Sequence, residues 1–255
     1  MLITSYFILQ WTYKVISKNQ LKLLRALGQK KQRKKLNQFL VQGEKNVIEL
    51  LNSDLNTEHV FASEYFLSDH ISLLSKTSHT LVDEDTLTKV STLTTNNSAI
   101  AVVNIPQTQQ PEYKGVLLVL DGVSDPGNLG TIIRVADWYG ISHVICSEDC
   151  ADVYNPKTIS ATMGSFVRVN VITTDVSEFL ADAPIPIYGA YLGGKDVHQV
   201  SFSNDLILMM GSESHGIRQH AGQFVTDKIT IPNFGQAESL NVAMATGIIL
   251  DNIKR

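Results

Sequence analysis

Three stretches of this 255-residue chain place polar side chains directly behind short apolar runs. The first is Asp121-Gly-Val-Ser-Asp-Pro-Gly-Asn-Leu-Gly-Thr-Ile-Ile-Arg134, which follows Val116–Leu120 and reads as a strand, a glycine-rich loop and a helix. Ligands of parallel α/β sheets bind beyond the carboxyl ends of the strands, so a loop of this composition there is a candidate site. Arg134 sits among Ile132, Ile133, Val135 and Ala136, and a cation in such a run calls for an anion. A structural salt bridge and an anionic ligand both satisfy that demand. The second stretch is Gly211-Ser-Glu-Ser-His-Gly216, after the apolar run Leu206–Met210. The third is Ile231-Pro-Asn-Phe-Gly-Gln-Ala-Glu-Ser-Leu-Asn241, where Ser239 stands at the expected N-cap of a helix over Leu240–Ile249. A cap does not account for Asn241, a polar residue inside a Leu-Val-Ala-Met-Ala stripe.

Two familiar chemistries fail on spacing. Dinucleotide binding needs G-x-G-x-x-G, but Gly127-Asn-Leu-Gly130 is preceded by Asp at position 125. The nucleophile elbow of a hydrolase needs G-x-S-x-G, and Ser212 and Ser214 fall at the wrong offsets from Gly211 and Gly216. A metal site is not expected either. Cys146 and Cys150 form a C-x-x-x-C pair with no neighbouring Cys or His pair to complete four ligands.

The elements that must hold these loops alternate strand and helix. Val116–Leu120, His143–Cys146, Phe166–Val171, Ile185–Tyr188, Leu206–Met210 and Lys228–Ile231 are short aliphatic runs suited to buried parallel strands, with helices such as Leu129–Tyr139 between several of them. The polar, proline-bracketed Pro106–Pro111 reads as a linker. It divides an N-terminal domain (1–105) from a C-terminal one (115–255), with 106–114 between. In the N-terminal part, Phe39–Leu51 reads as a strand, a glycine turn and a helix.

Bulk composition, with 44% hydrophobic and 18% charged residues, is that of a soluble globular protein rather than a disordered one. Net charge is −4 but unevenly spread. Residues 1–110 hold 12 Lys and Arg against 9 Asp and Glu, whereas residues 111–255 hold 9 against 16. Residues 18–35 read as a basic helix carrying Lys30, Lys31, Arg33, Lys34 and Lys35, either a solvated face or a contact for RNA phosphates. Two cysteines cannot build a disulfide framework, so a reducing, cytoplasmic setting is expected. The apolar opening, Met1–Trp11, lacks the basic flank and cleavage site of a signal peptide and is too short to span a bilayer. It reads as an upstream extension or an extra packing element.

Together, the three stretches resemble the signature motifs of the SpoU (TrmH) family of RNA 2′-O-ribose methyltransferases. Asp125–Gly130 with Arg134 resembles motif one, Gly211–Gly216 motif two, and Ile231-Pro232 with Ser239-Leu-Asn-Val242 motif three, covering most of 116–255. Asn155-Pro-Lys157 and Gly164-Ser165 also resemble a stretch typical of the family, and Phe39–Lys45 is similar to its N-terminal substrate-binding domain. The resemblance implies an α/β fold: a SPOUT-type parallel-sheet domain with a C-terminal trefoil knot, preceded by a small α/β RNA-binding domain. It implies a homodimer with the active site at the subunit interface, and S-adenosylmethionine as cofactor. The cofactor would be held by loops at Leu192, Gly193, Gly211, Ile231, Ser239 and Leu240. Asn128, Arg134, Glu213, Ser239 and Asn241 would form the catalytic set. Arg134, with Lys30, Lys31, Arg33, Lys34 and Lys35, would meet RNA. Ribosomal RNA is the favoured substrate because the N-terminal module is like those of two-domain ribosomal enzymes. Transfer RNA, or RNA binding without methyl transfer, are the alternatives. Ser214-His215 departs from the family's usual Gly after Glu.

Overall fold

A computed structural model describes residues 16–108 and 110–255. The apolar opening at residues 1–11 lies outside the described residues. The chain divides into two compact units, one running to Ile105 and the other from Pro106.

The described part of the first unit opens with two helices, α1 (Lys18–Leu27) and α2 (Lys30–Leu36), rather than the single basic helix that the charge pattern suggests. Gly28 and an extended Gln29 break the run. Arg33 crosses that break and donates from Nη1 to the Leu27 carbonyl at 2.8 Å, supplying a partner to an otherwise orphaned helix-end acceptor. Beyond them come β1 (Gln38–Gln42), α3 (Glu44–Leu51), β2 (Thr57–Ala62), α4 (Glu64–His70), β3 (His79–Leu81), α5 (Glu84–Val90) and β4 (Ala99–Asn104). The sheet order is β1-β4-β2-β3, antiparallel except for β2 and β3. Leu24, Leu27, Leu40, Phe61, Leu87 and Ile100 close its core.

The second unit is a six-stranded, wholly parallel sheet in the order β10-β8-β9-β5-β6-β7. Its strands are β5 (Val116–Asp121), β6 (His143–Cys146), β7 (Asn170–Thr173), β8 (Ile187–Asp196), β9 (Leu206–Gly211) and β10 (Asp227–Thr230). The helices are α6 (Pro126–Trp138), α7 (Pro156–Thr162), α8 (Val176–Ala181), α9 (Gln219–Gly222) and α10 (Val242–Lys254). Near-continuous apolar strands are explained by burial on both faces. Leu118, Leu120, Leu208 and Met210 pack with α6 and α10 on one side, while Leu117, Val119, Ile207 and Met209 pack with α8 and α9 on the other.

The expected strand over Phe166–Val171 is displaced. Gly164, at φ +101°, turns the chain into a 3-10 turn over Ser165–Val167, and pairing begins only at Asn170. Short aliphatic runs look alike in either conformation. Helix α6 starts before the expected Leu129 because Asp125 accepts from the Asn128 N–H and Pro126 takes the first helical position.

Candidate active site

Three loops leave the carboxyl ends of β8, β9 and β5, which are neighbours in the sheet. A fourth segment, Ile231–Leu240, leads from β10 into α10. Strand β8 stops pairing with β9 at Gly189, and its register against β10 jumps from Gly189 to Lys195. The chain from 190 to 194 therefore bows out of the ladder, leaving Leu192 83% exposed and Gly193 with open space where a Cβ would be.

The β9 loop is a closed turn. Ser212 and Gly216 exchange backbone hydrogen bonds at 3.2 and 2.9 Å, and the His215 N–H donates to the Ser212 hydroxyl at 3.2 Å. Glu213 lies in this turn, exposed. Gly211 is required beneath it: a Cβ would fall 2.0 Å from the carbonyl carbon of Gly216 and 2.2 Å from the Ile217 nitrogen.

Asn128 stands in the first turn of α6, and its side-chain amide reaches both other motifs. Its Nδ2 donates to Oε1 of Glu213. Its Oδ1 accepts from Nδ2 of Asn241 at 2.9 Å. The Oδ1 of Asn241 in turn accepts from the N–H groups of Ala243 and Met244 at 3.0 and 3.3 Å. The polarity of this series is forced from both ends. A carboxylate only accepts and a helix N-terminus only donates, so each amide between them has one allowed orientation. The helix start is thus capped by Asn241, not by Ser239 as the sequence suggests, and α10 begins at Val242. Ser239 lies two residues earlier, exposed, with no hydrogen-bond partner among the described residues.

Arg134 is also exposed. Six residues after Asn128, it projects from α6 away from Ile132 and Ile133, which are buried. Neighbours in sequence need not be neighbours on a helix surface. Among the described residues it has no ion-pair or hydrogen-bond partner, which disposes of the structural salt bridge. The structure therefore brings Asn128, Glu213 and Asn241 into one bonded series and leaves Arg134 and Ser239 uncommitted.

Of the expected RNA-contacting cations, Lys30, Lys31, Lys34 and Lys35 are exposed. Arg33 is not: it is 2% exposed and turned inward onto Leu27. Its placement is a correction with a plain cause, since one residue of a seven-residue helix must face the core and an arginine fork can satisfy a buried carbonyl there.

One cluster was not anticipated. Asp121, fully buried at the end of β5, is bonded by Arg218, which also grips Asp149. The available signal was an Asp closing a wholly apolar strand, which must find a cation somewhere in the fold.

The residues at the strand ends fit S-adenosylmethionine. An adenosine needs apolar contact and backbone hydrogen bonds at close approach, and side-chain-free Gly193, exposed Leu192 and Leu240 (47% exposed), Gly211 and Ile231 are of that chemistry. Among the described residues, no group of three or more His, Cys, Asp or Glu is placed to hold a metal ion.

The fold is shared with solved structures. A TrmH-family protein from Porphyromonas gingivalis is similar at a TM-score of 0.84 with 34% identity, over 94% of this chain and 98% of that one. An AdoMet-bound rRNA methyltransferase from Sinorhizobium meliloti is similar at 0.84 with 26% identity, over 96% and 97%. Fold and site together define a SPOUT-type methyltransferase. Residues 115–251 match the SpoU rRNA methylase family and residues 18–101 the MRM3-like substrate binding domain, and the chain belongs to the SpoU family. Among its relatives, the 23S rRNA (guanosine(2553)-2′-O)-methyltransferase RlmP of Bacillus subtilis is 30% identical over 247 residues, 93% of this chain and 97% of that protein. The RlmB 23S rRNA (guanosine-2′-O-)-methyltransferase of Neisseria meningitidis is 30% identical over 147 residues, 55% of this chain and 58% of that protein.

Proposed function

We propose that the protein transfers a methyl group from S-adenosylmethionine to a ribose 2′-hydroxyl of ribosomal RNA. The observation that carries this reading is the Glu213–Asn128–Asn241 series beside a cation and a hydroxyl, Arg134 and Ser239, that have no partner among the described residues. When bound, the cofactor supplies an electrophilic methyl on a sulfonium. The oxygen–carbon bond to the ribose forms as the carbon–sulfur bond breaks, and the hydroxyl proton leaves to an RNA phosphate or water. Arg134 anchors the neighbouring phosphate and the developing oxyanion; a guanidinium holds its protons too firmly to be the base. Asn128 and Asn241, held rigid by their shared bonds, orient the hydroxyl, with Ser239 contributing a further donor.

The N-terminal unit, residues 1–105, is the RNA-binding part, joined by 106–114 to the catalytic part, 115–255. Exposed Lys30, Lys31, Lys34 and Lys35 on a short helix suit phosphate contact. Ribosomal rather than transfer RNA is favoured by the activity named for the RlmP relative, which spans most of the chain. A homodimer is supported by a groove of about 550 Å³ between α6 and α10, whose lining includes Val135, Tyr139, Met244 and Ile248. Trp138, on the same helix, is 84% exposed, and Met244 63%. Pairing there would place one subunit's Arg134 beside its partner. The match of residues 115–251 to the SpoU family supports a C-terminal trefoil knot that would hold the cofactor. No helix among the described residues is long and apolar enough to cross a membrane, and we place the protein in the cytoplasm with its RNA.

The test is transfer from labelled S-adenosylmethionine to ribosomal and to transfer RNA taken from cells lacking the gene, with 2′-O-methyl mapping of the product. Label in ribosomal RNA at one nucleotide, lost in Asn128→Ala, is expected. Label only in transfer RNA, or none with intact cofactor binding, overturns it.

A further inference from the structure

The loop that carries Glu213 is fastened at both ends to one buried residue. On the incoming side, Gly211 is paired with Asp121 in the β5–β9 ladder. On the outgoing side, the Arg218 backbone N–H donates to Oδ2 of Asp121 at 2.7 Å, while Nε donates to Oδ1 at 2.8 Å and Nη2 reaches the same oxygen. The remaining edge of the guanidinium is taken by Asp149, with Nη1 to Oδ2 at 2.7 Å and Nη2 to Oδ1 at 3.0 Å. Asp149 also accepts from the Ser147 hydroxyl at 2.7 Å, and that hydroxyl accepts from the Gly122 N–H at 2.8 Å. One planar fork therefore ties together the segments beyond β5, β6 and β9. Gly122, at φ +76°, passes against all of them: its missing Cβ would lie 3.5 Å from Asp149, 3.6 Å from Ser212 and 3.7 Å from Arg218.

None of these groups bonds to Asn128, Asn241 or Arg134, yet the network decides where Glu213 sits. The turn from Ser212 to Gly216 is rigid within itself, so its aim depends on its two attachments. A carboxylate buried at 0% exposure next to a two-pronged donor has one low-energy arrangement. We infer that Arg218, clamped between Asp121 and Asp149, is a positioning residue for methyl transfer, which fixes the Glu213 turn against Asn128. The hydrogen bonds Arg218 donates to Asp121 raise the Arg218 pKa, and those it donates to Asp149 hold that carboxyl low, so the pair stays charged throughout the working range.

This inference rests on the methyltransferase reading for its kinetic consequence but not for its structural one, and the test keeps the two apart. Arg218→Lys preserves the charge and loses the fork; Asp149→Asn removes one grip at a side chain that is 55% exposed, which keeps the protein folded if the lysine variant does not fold. The first readout is the pair of Asn128 side-chain amide protons by 15N NMR. In the wild type they should be shifted and well separated by their bond to Glu213. In Arg218→Lys, and more weakly in Asp149→Asn, they should move toward the positions seen in Glu213→Gln. The second readout is steady-state kinetics. A fall in kcat of about tenfold or more in Arg218→Lys is expected, with KM for RNA within about twofold, since a 1 Å misplacement alone costs up to about a hundredfold. Adding Glu213→Gln to Arg218→Lys should cause no further loss. Unmoved amide protons in folded variants overturn the inference, as do kinetic losses that multiply in the double variant. Wild-type protein with shifted amide protons and no methyl transfer would count against the enzymatic reading alone.

Discussion

Asn128 and Asn241 meet amide to amide at 2.9 Å across 113 positions of sequence, and in doing so they join the start of α6 to the start of α10. The first of them also bonds Glu213, so each of the three motif loops holds the next.

That chain is sensitive to charge. Asn128→Asp keeps the size of the side chain but turns its donor into an acceptor facing Glu213. We expect a fall in kcat of about a hundredfold or more from lost positioning, with the far-UV circular dichroism unchanged. Transfer at the wild-type rate in this variant would show that the amide contact is incidental.

Arg134 should separate activity from stability. It is exposed and has no partner among the described residues, so Arg134→Ala should leave unfolding free energy within about 0.5 kcal/mol of the wild type. Its methyl transfer should drop by at least about a hundredfold, as for removal of an oxyanion donor. Urea titration and single-turnover assays on the same preparation check both halves.

The neighbouring cations of α2 should divide the same way. Arg33→Ala strips a buried carbonyl of its donor and is expected to cost about 1–3 kcal/mol of stability in the N-terminal unit. Lys34→Ala and Lys35→Ala should cost almost none. Instead, each should lower the salt dependence of RNA binding by about 0.7 in the log–log slope if it meets a phosphate of single-stranded RNA. Fluorescence anisotropy at several salt concentrations reads the slope, and thermal melts read the stability.

Gly211→Ala should damage the β9 turn beyond repair by side-chain movement, because the added carbon meets only backbone. Loss of S-adenosylmethionine binding by calorimetry is expected, together with a stability loss in the upper part of the usual 0.5–3 kcal/mol range. Retained cofactor affinity would mean that the turn relaxes without consequence.

Acid should weaken the sheet edge. Hydrogen bonds from Arg218 depress the Asp149 pKa, and the Asn128 N–H depresses that of Asp125. Groups with lowered native pKa values stabilise fully above the ordinary carboxylate range and lose that contribution as pH falls through the depressed value. Urea midpoints should therefore be level from about pH 5 to 8 and decline below about pH 4. The decline should be shallower in Asp149→Asn.

Much of this was legible in the residues. Buried parallel strands announce themselves as aliphatic runs: four of the six expected ones correspond closely to strands, and a fifth, Ile185–Tyr188, takes in only the start of β8 (Ile187–Asp196). The sixth, around Phe166, was displaced because Gly164 takes a positive φ, which no pattern of apolar side chains records. Asn241 stands out as a polar residue in an apolar stripe, and Asn128 and Glu213 only by their places in motifs that resemble the family's, but their mutual bonds depend on which strands are neighbours in the sheet. The cap at Asn241 rather than Ser239 was missed because both are good cap residues and only the chain's path decides between them. The Asp121–Arg218 pair was missed for a related reason. Ninety-seven positions separate its members, and the sequence shows a buried acid in need of a cation without saying which one.

Trp138 stands almost fully in water on the outward side of α6, beside the groove shared with α10. The chain's other tryptophan is Trp11, so a Trp11→Phe protein would carry one indole, planted where a second subunit is expected to settle. Indole emission moves to shorter wavelength as water is stripped from the ring. Dilution of that single-tryptophan protein would then make the molecule its own optical gauge of association, without any label attached.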